Sequence, residues 1–220
     1  MLMQVRSGFM MGGKSVPIPA TFFDSGTSAD SANVSMPAGI ASGDLGLLFD
    51  CGVSATTPPA DITPAGWTLM GTTQTATGGG VGARWNMSYR VLDGTETTLT
   101  GINGIFSSKL VLVFRKLATL TWGAPASVQT DADVLGGLTD KTVTVGAAPL
   151  IMIGALADGG SGVNLLMTPA QTATVVGTLG GSTRCQAGYI VYGVGGANNT
   201  ISSDNYGGTV AIGGFYIPLT

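Results

Sequence analysis

Asp93 and Glu96 stand three residues apart, and two carboxylates are the minimum equipment for acid–base cleavage of a glycosidic bond. Such a pair must sit about 5–10 Å apart with one member's pKa raised. Here both acids fall in Asp93-Gly94-Thr95-Glu96, a turn sequence that exposes them and keeps them ionised. The pattern therefore reads as a turn. The other nucleophile–base juxtaposition is Ser107-Ser108-Lys109, where a serine–lysine pair lies at the mouth of a strand with no third supporting group. The chain has no histidine, which excludes Ser–His–Asp and Cys–His catalysis. Two cysteines without histidine cannot complete a zinc tetrahedron. Asp131 with Asp133, Asp158 with Asn164, and Asn198-Asn199 near Asp204 could supply oxygen ligands, but none has the spacing of a calcium loop, and Asx turns account for them. The glycines from Gly78 to Gly82 lead into a strand, so no helix N-terminus is present to hold a phosphate. No catalytic residue, metal ligand or cofactor is assigned.

Aromatic rings offer a different chemistry. Trp67, Trp122 and Tyr206 lie near expected turns or strand ends, and are the candidate glycan contacts; core or interface anchoring is the competing role. Cys51 and Cys185 both fall in expected strands. A buried pair of reduced thiols is the expectation for a cytoplasmic product, with a disulfide as the alternative.

The elements that must position these residues are strands. Trp85, Met87, Tyr89 and Val91 alternate with Arg84, Asn86, Ser88 and Arg90, which predicts one dry and one wet face. Leu47, Phe49, Cys51 and Val53 form a similar row. Lys109 to Arg115 and Leu150 to Leu156 are apolar on both faces and predict central strands covered on both sides. Tyr189 to Val194 and Val210 to Pro218 read as further strands. Clusters such as Thr57-Pro58-Pro59-Ala60-Asp61 and Gly159-Gly160-Ser161-Gly162 punctuate them as turns. A short helical turn is expected only within residues 163–174. The fold class is all-β: an antiparallel β-sandwich, jelly-roll-like. The sequence shows no exact internal repeat, and no linker splits residues 21–220, which are read as one domain. Residues 1–20, with Phe9-Met10-Met11 and Val16-Pro17-Ile18-Pro19, predict an extended N-terminal arm. Phe9, Met10 and Met11, with Phe22 and Phe23 where the arm meets the domain, are the candidate assembly contacts.

Only 21 of the 220 residues are charged, and only seven of those (Asp131, Asp133, Asp140, Lys141, Asp158, Arg184 and Asp204) lie beyond residue 116. So little charge solvates a large surface poorly, which points to a protein that hides part of its surface in a homo-oligomer. The nine basic residues form no stripe, so nucleic acid is not an expected partner. No apolar stretch approaches the length of a membrane span or a signal peptide, so neither a membrane nor secretion is expected.

The succession of phrases is more specific than any one of them. Met36-Pro37-Ala38-Gly39-Ile40 leads into Gly43-Asp44-Leu45-Gly46-Leu47-Leu48-Phe49; then come Thr63-Pro64-Ala65-Gly66-Trp67, Tyr89-Arg90-Val91-Leu92-Asp93-Gly94-Thr95-Glu96, and Val111-Leu112-Val113-Phe114-Arg115. This order resembles the β-sandwich modules of tailed-bacteriophage virion proteins, over about residues 30–218. The resemblance implies a non-enzymatic virion structural protein made in the host cytoplasm. It would be a capsid decoration or a tail- or fibre-associated component, contacting other virion proteins. The alternative is a receptor- or glycan-binding module on a tail appendage, with a host-surface glycan as partner.

Overall fold

The computed structural model describes residues 18–29, 33–54, 63–71, 73–78, 81–100, 107–134, 141–144, 149–158, 164–168, 173–179, 182–193, 198–203 and 209–220. Among them are sixteen strands, numbered in chain order, all paired antiparallel, and no helix. Of residues 163–174, where a helical turn is expected, the described part is strand: Leu165–Thr168 is β12 and Ala173 opens β13 (Ala173–Leu179), while residues 163 and 169–172 lie outside the described residues. The arm up to residue 17 lies outside the described residues.

The first large sheet has the order β1 (Ala20–Ala29), β8 (Ser107–Lys116), β3 (Leu45–Ser54), β6 (Val81–Val91), β4 (Thr68–Leu69), with β5 (Gln74–Gly78) also paired to β6. The second has the order β13, β14 (Ser182–Tyr192), β11 (Leu150–Asp158), β16 (Thr209–Pro218), β9 (Ala126–Val134). Two small sheets complete the fold: β2 (Val34–Ser35) with β7 (Thr98–Leu99), and β10 (Lys141–Thr144), β15 (Asn198–Ser203), β12.

The large sheets pack face to face, because each presents a full row of apolar side chains at every second position. Leu45, Leu47, Phe49, Cys51, Trp85, Met87, Leu110, Leu112 and Phe114 from the first meet Ile151, Ile153, Ala155, Ala157, Cys185, Ala187, Ala211 and Phe215 from the second. Sizes are complementary: the bulky residues of the first sheet fill space left by the alanines of the second. Trp85 is fully buried, its Nε1–H donates to the Ala211 carbonyl at 3.0 Å, and its ring lies edge-on to Phe49 and Phe215. Burying a Leu, Phe or Met side chain contributes about 1.5–3 kcal/mol, so this layer dominates the stability.

Each large sheet is also dry on its far face. Val34, Met36, Leu48, Trp67, Leu92, Leu99, Val111 and Val113 form a second core under β2 and β7. Leu150, Met152, Leu156, Leu165, Met167, Ile190, Ile201 and Ile212 form a third under β12 and β15. Hence β8 and β11 are covered on both sides, as their sequences predict. The wet face expected on β6 is covered at its centre, where Asn86 and Ser88 are buried, while Arg84 and Arg90 at its ends stay half-buried. The turn at Asp93-Gly94 joins β6 to a strand of another sheet, since β7 pairs with β2.

Cys51 of β3 and Cys185 of β14 form a disulfide between the large sheets, in place of the reduced pair expected. The reason is register. Cys51 stands opposite Trp85 and Cys185 opposite Ala157, which brings both thiols to the interior facing one another. The bond closes a loop across 134 residues of sequence, a class of cross-link worth about 2–5 kcal/mol. Purified without reductant, the chain should therefore resist alkylation by iodoacetamide until it is denatured and reduced. The Cys51→Ala/Cys185→Ala pair should lose about 2–5 kcal/mol in denaturant unfolding. Free thiols in the native, unreduced protein would contradict this pairing.

Candidate functional site

The motif-bearing loops gather at one end of the sandwich, where β3 begins and β6 and β8 finish. Register places Leu45 opposite both Val91 and Phe114 there. The turn Ala41-Ser42-Gly43-Asp44 opens this end: the Asp44 N–H donates to the Ala41 carbonyl at 3.1 Å, with Gly43 at φ +92° in the third position. That is the geometry of a type II turn, which requires a residue tolerant of positive φ at that point. The Asp44 carboxylate accepts the Ala41 N–H at 2.8 Å, Arg115 Nε–H at 2.8 Å and Arg115 Nη2–H at 2.6 Å. Arg115 also donates to the Gly39 carbonyl and lies 4.2 Å from the centre of the Phe23 ring. Trp122 Nε1–H donates to the Gly43 carbonyl at 2.8 Å.

A second cluster lies beside it. Glu96 accepts the N–H groups of Asp93 and Gly94, each at 3.0 Å, while Asp93 accepts the Thr95 N–H at 2.9 Å. Arg90 Nη2 reaches Asp93 at 3.0 Å and Glu96 at 3.4 Å. Gly94, at φ +90°, leans on the first turn so closely that a Cβ would stand 2.8 Å from the Ser42 nitrogen. A hollow of about 390 Å3 opens between the turns, lined by Met36, Pro37, Gly39, Ile40, Glu96 and Thr97. A smaller one of about 200 Å3 lies over Ser42, Asp44, Arg115 and Lys116.

The charges here are consumed in holding loops. Burial pushes the Asp44 carboxyl up, but the Arg115 hydrogen bonds, the Ala41 amide and the Arg115 charge together outweigh it and leave the carboxyl below the ordinary range. The Thr95 hydroxyl and amide, with Arg90, hold Asp93 below that range too. A general acid needs the opposite shift. Asp93 and Glu96 lock the turn by accepting its backbone N–H groups.

The aromatic candidates divide. Trp67 is buried at 7% exposure, which corrects its reading as a glycan platform. Gly46 has no side chain and leaves room for the indole, where a Cβ would come within 2.9 Å of the ring. Pro64-Ala65-Gly66-Trp67 is a second type II turn, with Gly66 at φ +78°, and it drives the ring inward. Trp122 is half-buried, held through Gly43 and bridged to Leu219. Tyr206 lies outside the described residues. Of the assembly candidates, Phe22 stacks on Tyr189 at 5.0 Å and meets Phe114 edge-on, while Phe23 packs under Arg115 on the other face of β1. As neighbours in a strand the two point to opposite faces, and the register shifts at a bulge between Phe22 and Asp24. Both rings are thus anchored within the chain, with only their outer edges left for a neighbour. Phe9, Met10 and Met11 lie outside the described residues.

Sequence reasoning missed a buried polar row. Ser28, Lys109, Asp50 and Asn86 stand opposite one another across β1, β8, β3 and β6. Lys109 is fully buried and its Nζ donates to Ser107 Oγ at 2.5 Å; Asp50 and Asn86 are buried as well. The acid that register sets beside Ser107-Ser108-Lys109 is Asp50, opposite Lys109 on β3. The signal was there, an acid inside the apolar run from Leu47 to Val53. Lys109, Asp50 and Asn86 are closed off from solvent, while Ser28 on the outer strand β1 is half-buried.

No family model, curated protein or solved structure matches the chain.

Asp44 carries a lowered folded-state pKa, so its stabilising contribution is complete above about pH 4 and is lost as pH falls through that lowered value. Asp44→Asn should cost about 1–3 kcal/mol at pH 7, below the figure for a fully buried pair because Arg115 is 39% exposed and screened. It should also flatten the acid limb of the stability–pH curve. Denaturant melts of both proteins from pH 7 to pH 2 measure both effects, and parallel curves would refute the clamp.

Proposed function

We propose that this chain is a non-enzymatic structural component of a tailed-bacteriophage virion. It would act as a homo-oligomer, through repeated contacts with other virion proteins. The observation that carries the reading is the makeup of one end of the sandwich. Ile18, Val91 and Leu117 are exposed by 64%, 49% and 41%, and all stand at the end where residues 1–17 join the domain. Pro19 accepts the Leu117 N–H there, and a hollow of about 250 Å3 lies over Pro19, Leu117, Leu120, Pro149 and Gly193. Most charged groups at this end are paired, Asp44 with Arg115 and Arg90 with Asp93 and Glu96, and the exposed apolar side chains beside them suit a protein neighbour. Weak contacts of this kind gain strength by repetition in an assembly.

Two further points support the reading. The order β1-β8-β3-β6 in a large sheet, with β2 paired to β7, is consistent with jelly-roll winding, a fold used by capsid proteins and also by lectins, although β4 and β5 pair with β6 and do not extend the β2–β7 sheet. That is an argument by analogy of fold. The disulfide fits a particle that leaves the reducing cytoplasm for oxidising surroundings. The glycan-binding alternative is weaker, because Trp67 is internal and Trp122 has its indole nitrogen committed to Gly43.

Removing residues 1–17 tests the proposal while sparing Pro19 and the buried Ala20. The truncated chain should keep its β-sheet circular dichroism and its melting temperature, yet fail to enter particles in a complementation assay. Normal incorporation of the truncated chain would refute attachment through this end.

A further inference from the structure

The second half of the chain repeats the first. The large sheet of the first half runs β1-β8-β3-β6, with β5 also on β6; that of the second runs β9-β16-β11-β14, with β13 on β14. Counting from the start of each half, these are the same strands in the same order. The small sheets correspond likewise, β2-β7 with β10-β15. One element differs: β4 pairs with β6, whereas its counterpart β12 joins the small sheet beside β15.

Register extends the equivalence to single residues. Leu45 stands opposite Val91 and Phe114, as Ile151 stands opposite Val191 and Ile217. Asp50 stands opposite Asn86 and Lys109, as Leu156 stands opposite Gln186 and Ile212. Along β6 and β14 this alignment pairs Arg84 with Arg184, Tyr89 with Tyr189 and Val91 with Val191, and amide with amide at Asn86 and Gln186. Each half keeps a core of its own beneath its small sheet.

The halves also meet reciprocally. β1 lies on β13 as β9 lies on β5; β8 lies on β13 as β16 lies on β5; β3 meets β14 as β11 meets β6; and β3 meets β11. Contacts of the form i to j and j to i define an isologous, two-fold interface. Both β3 and β11 begin at the arm-bearing end, so the approximate axis runs along the strands. The disulfide breaks the symmetry: the position equivalent to Cys51 is Ala157, and the position equivalent to Cys185 is Trp85.

We infer that the chain is two copies of one eight-stranded module joined in tandem, and that the central apolar layer is a module–module interface retained within a single polypeptide. The partner that fits the large-sheet face of either half is thus a second copy of the same module. This inference is independent of the virion reading.

The exposed turn at Leu117-Ala118-Thr119 joins the halves and allows a test on the folded full-length protein. A protease site inserted between Ala118 and Thr119 is cut after purification, and the disulfide is then reduced. The two fragments should co-elute at the size of the uncut chain with unchanged circular dichroism. The melting midpoint of the cut, reduced protein should fall on dilution, as a two-body equilibrium requires, while that of the uncut, reduced protein should not. Elution as separate fragments, loss of β structure after cutting, or a midpoint indifferent to dilution would each overturn the inference.

Discussion

The apolar layer between the two large sheets is the constraint on which everything else rests. Both sheets commit their inward rows to it, and neither row could face water without exposing a surface far larger than a soluble domain tolerates. Its packing is specific because bulk on one side meets alanines on the other, and because Trp85 finds a hydrogen-bond acceptor at Ala211. The disulfide from Cys51 to Cys185 crosses this same layer and limits how far the sheets can separate. The small sheets can then be slight, since they need only cover the outer faces.

Polar groups follow from that arrangement. A chain with few charges cannot leave them idle inside a four-layered stack, where an unpaired charge would cost several kcal/mol. Asp44 and Arg115 bind the loop before β3 to the end of β8; Arg90, Asp93 and Glu96 close the loop after β6. Lys109 and Asp50 sit opposite one another on neighbouring strands beneath the outer cover. These groups could have been mistaken for catalytic equipment. The bonds among Asp44, Arg115, Arg90, Asp93 and Glu96 fasten loops, and Ile18, Val91 and Leu117 are exposed at the same end of the sandwich.

Much of this was legible in the sequence, for local reasons. Alternation at period two located β3 and β6, and unbroken apolar runs located β8 and β11, because side chains on a strand report the dryness of each face directly. Gly43 and Gly66 occupy the position of a type II turn that requires positive φ. Other features were not legible. Asn86 and Ser88 look like a wet face until a distant segment covers them. Trp67 looks exposed until Gly46, on another strand, provides its cavity. The repeat escaped notice because its two copies share strand order and register while differing at most positions: Lys109 answers to Ile212 and Asp50 to Leu156.

The sequence by itself determined that the chain would be antiparallel β structure, where its principal strands and turns fall, and that histidine chemistry is absent. These depend on backbone geometry and on side chains a few residues apart. Tertiary structure alone decided that Cys51 meets Cys185, that Lys109 stands beside Asp50, and that two halves face each other across one core. Each of those facts depends on strand register and sheet packing between residues far apart in the chain, which the balance of burial across the whole fold selects.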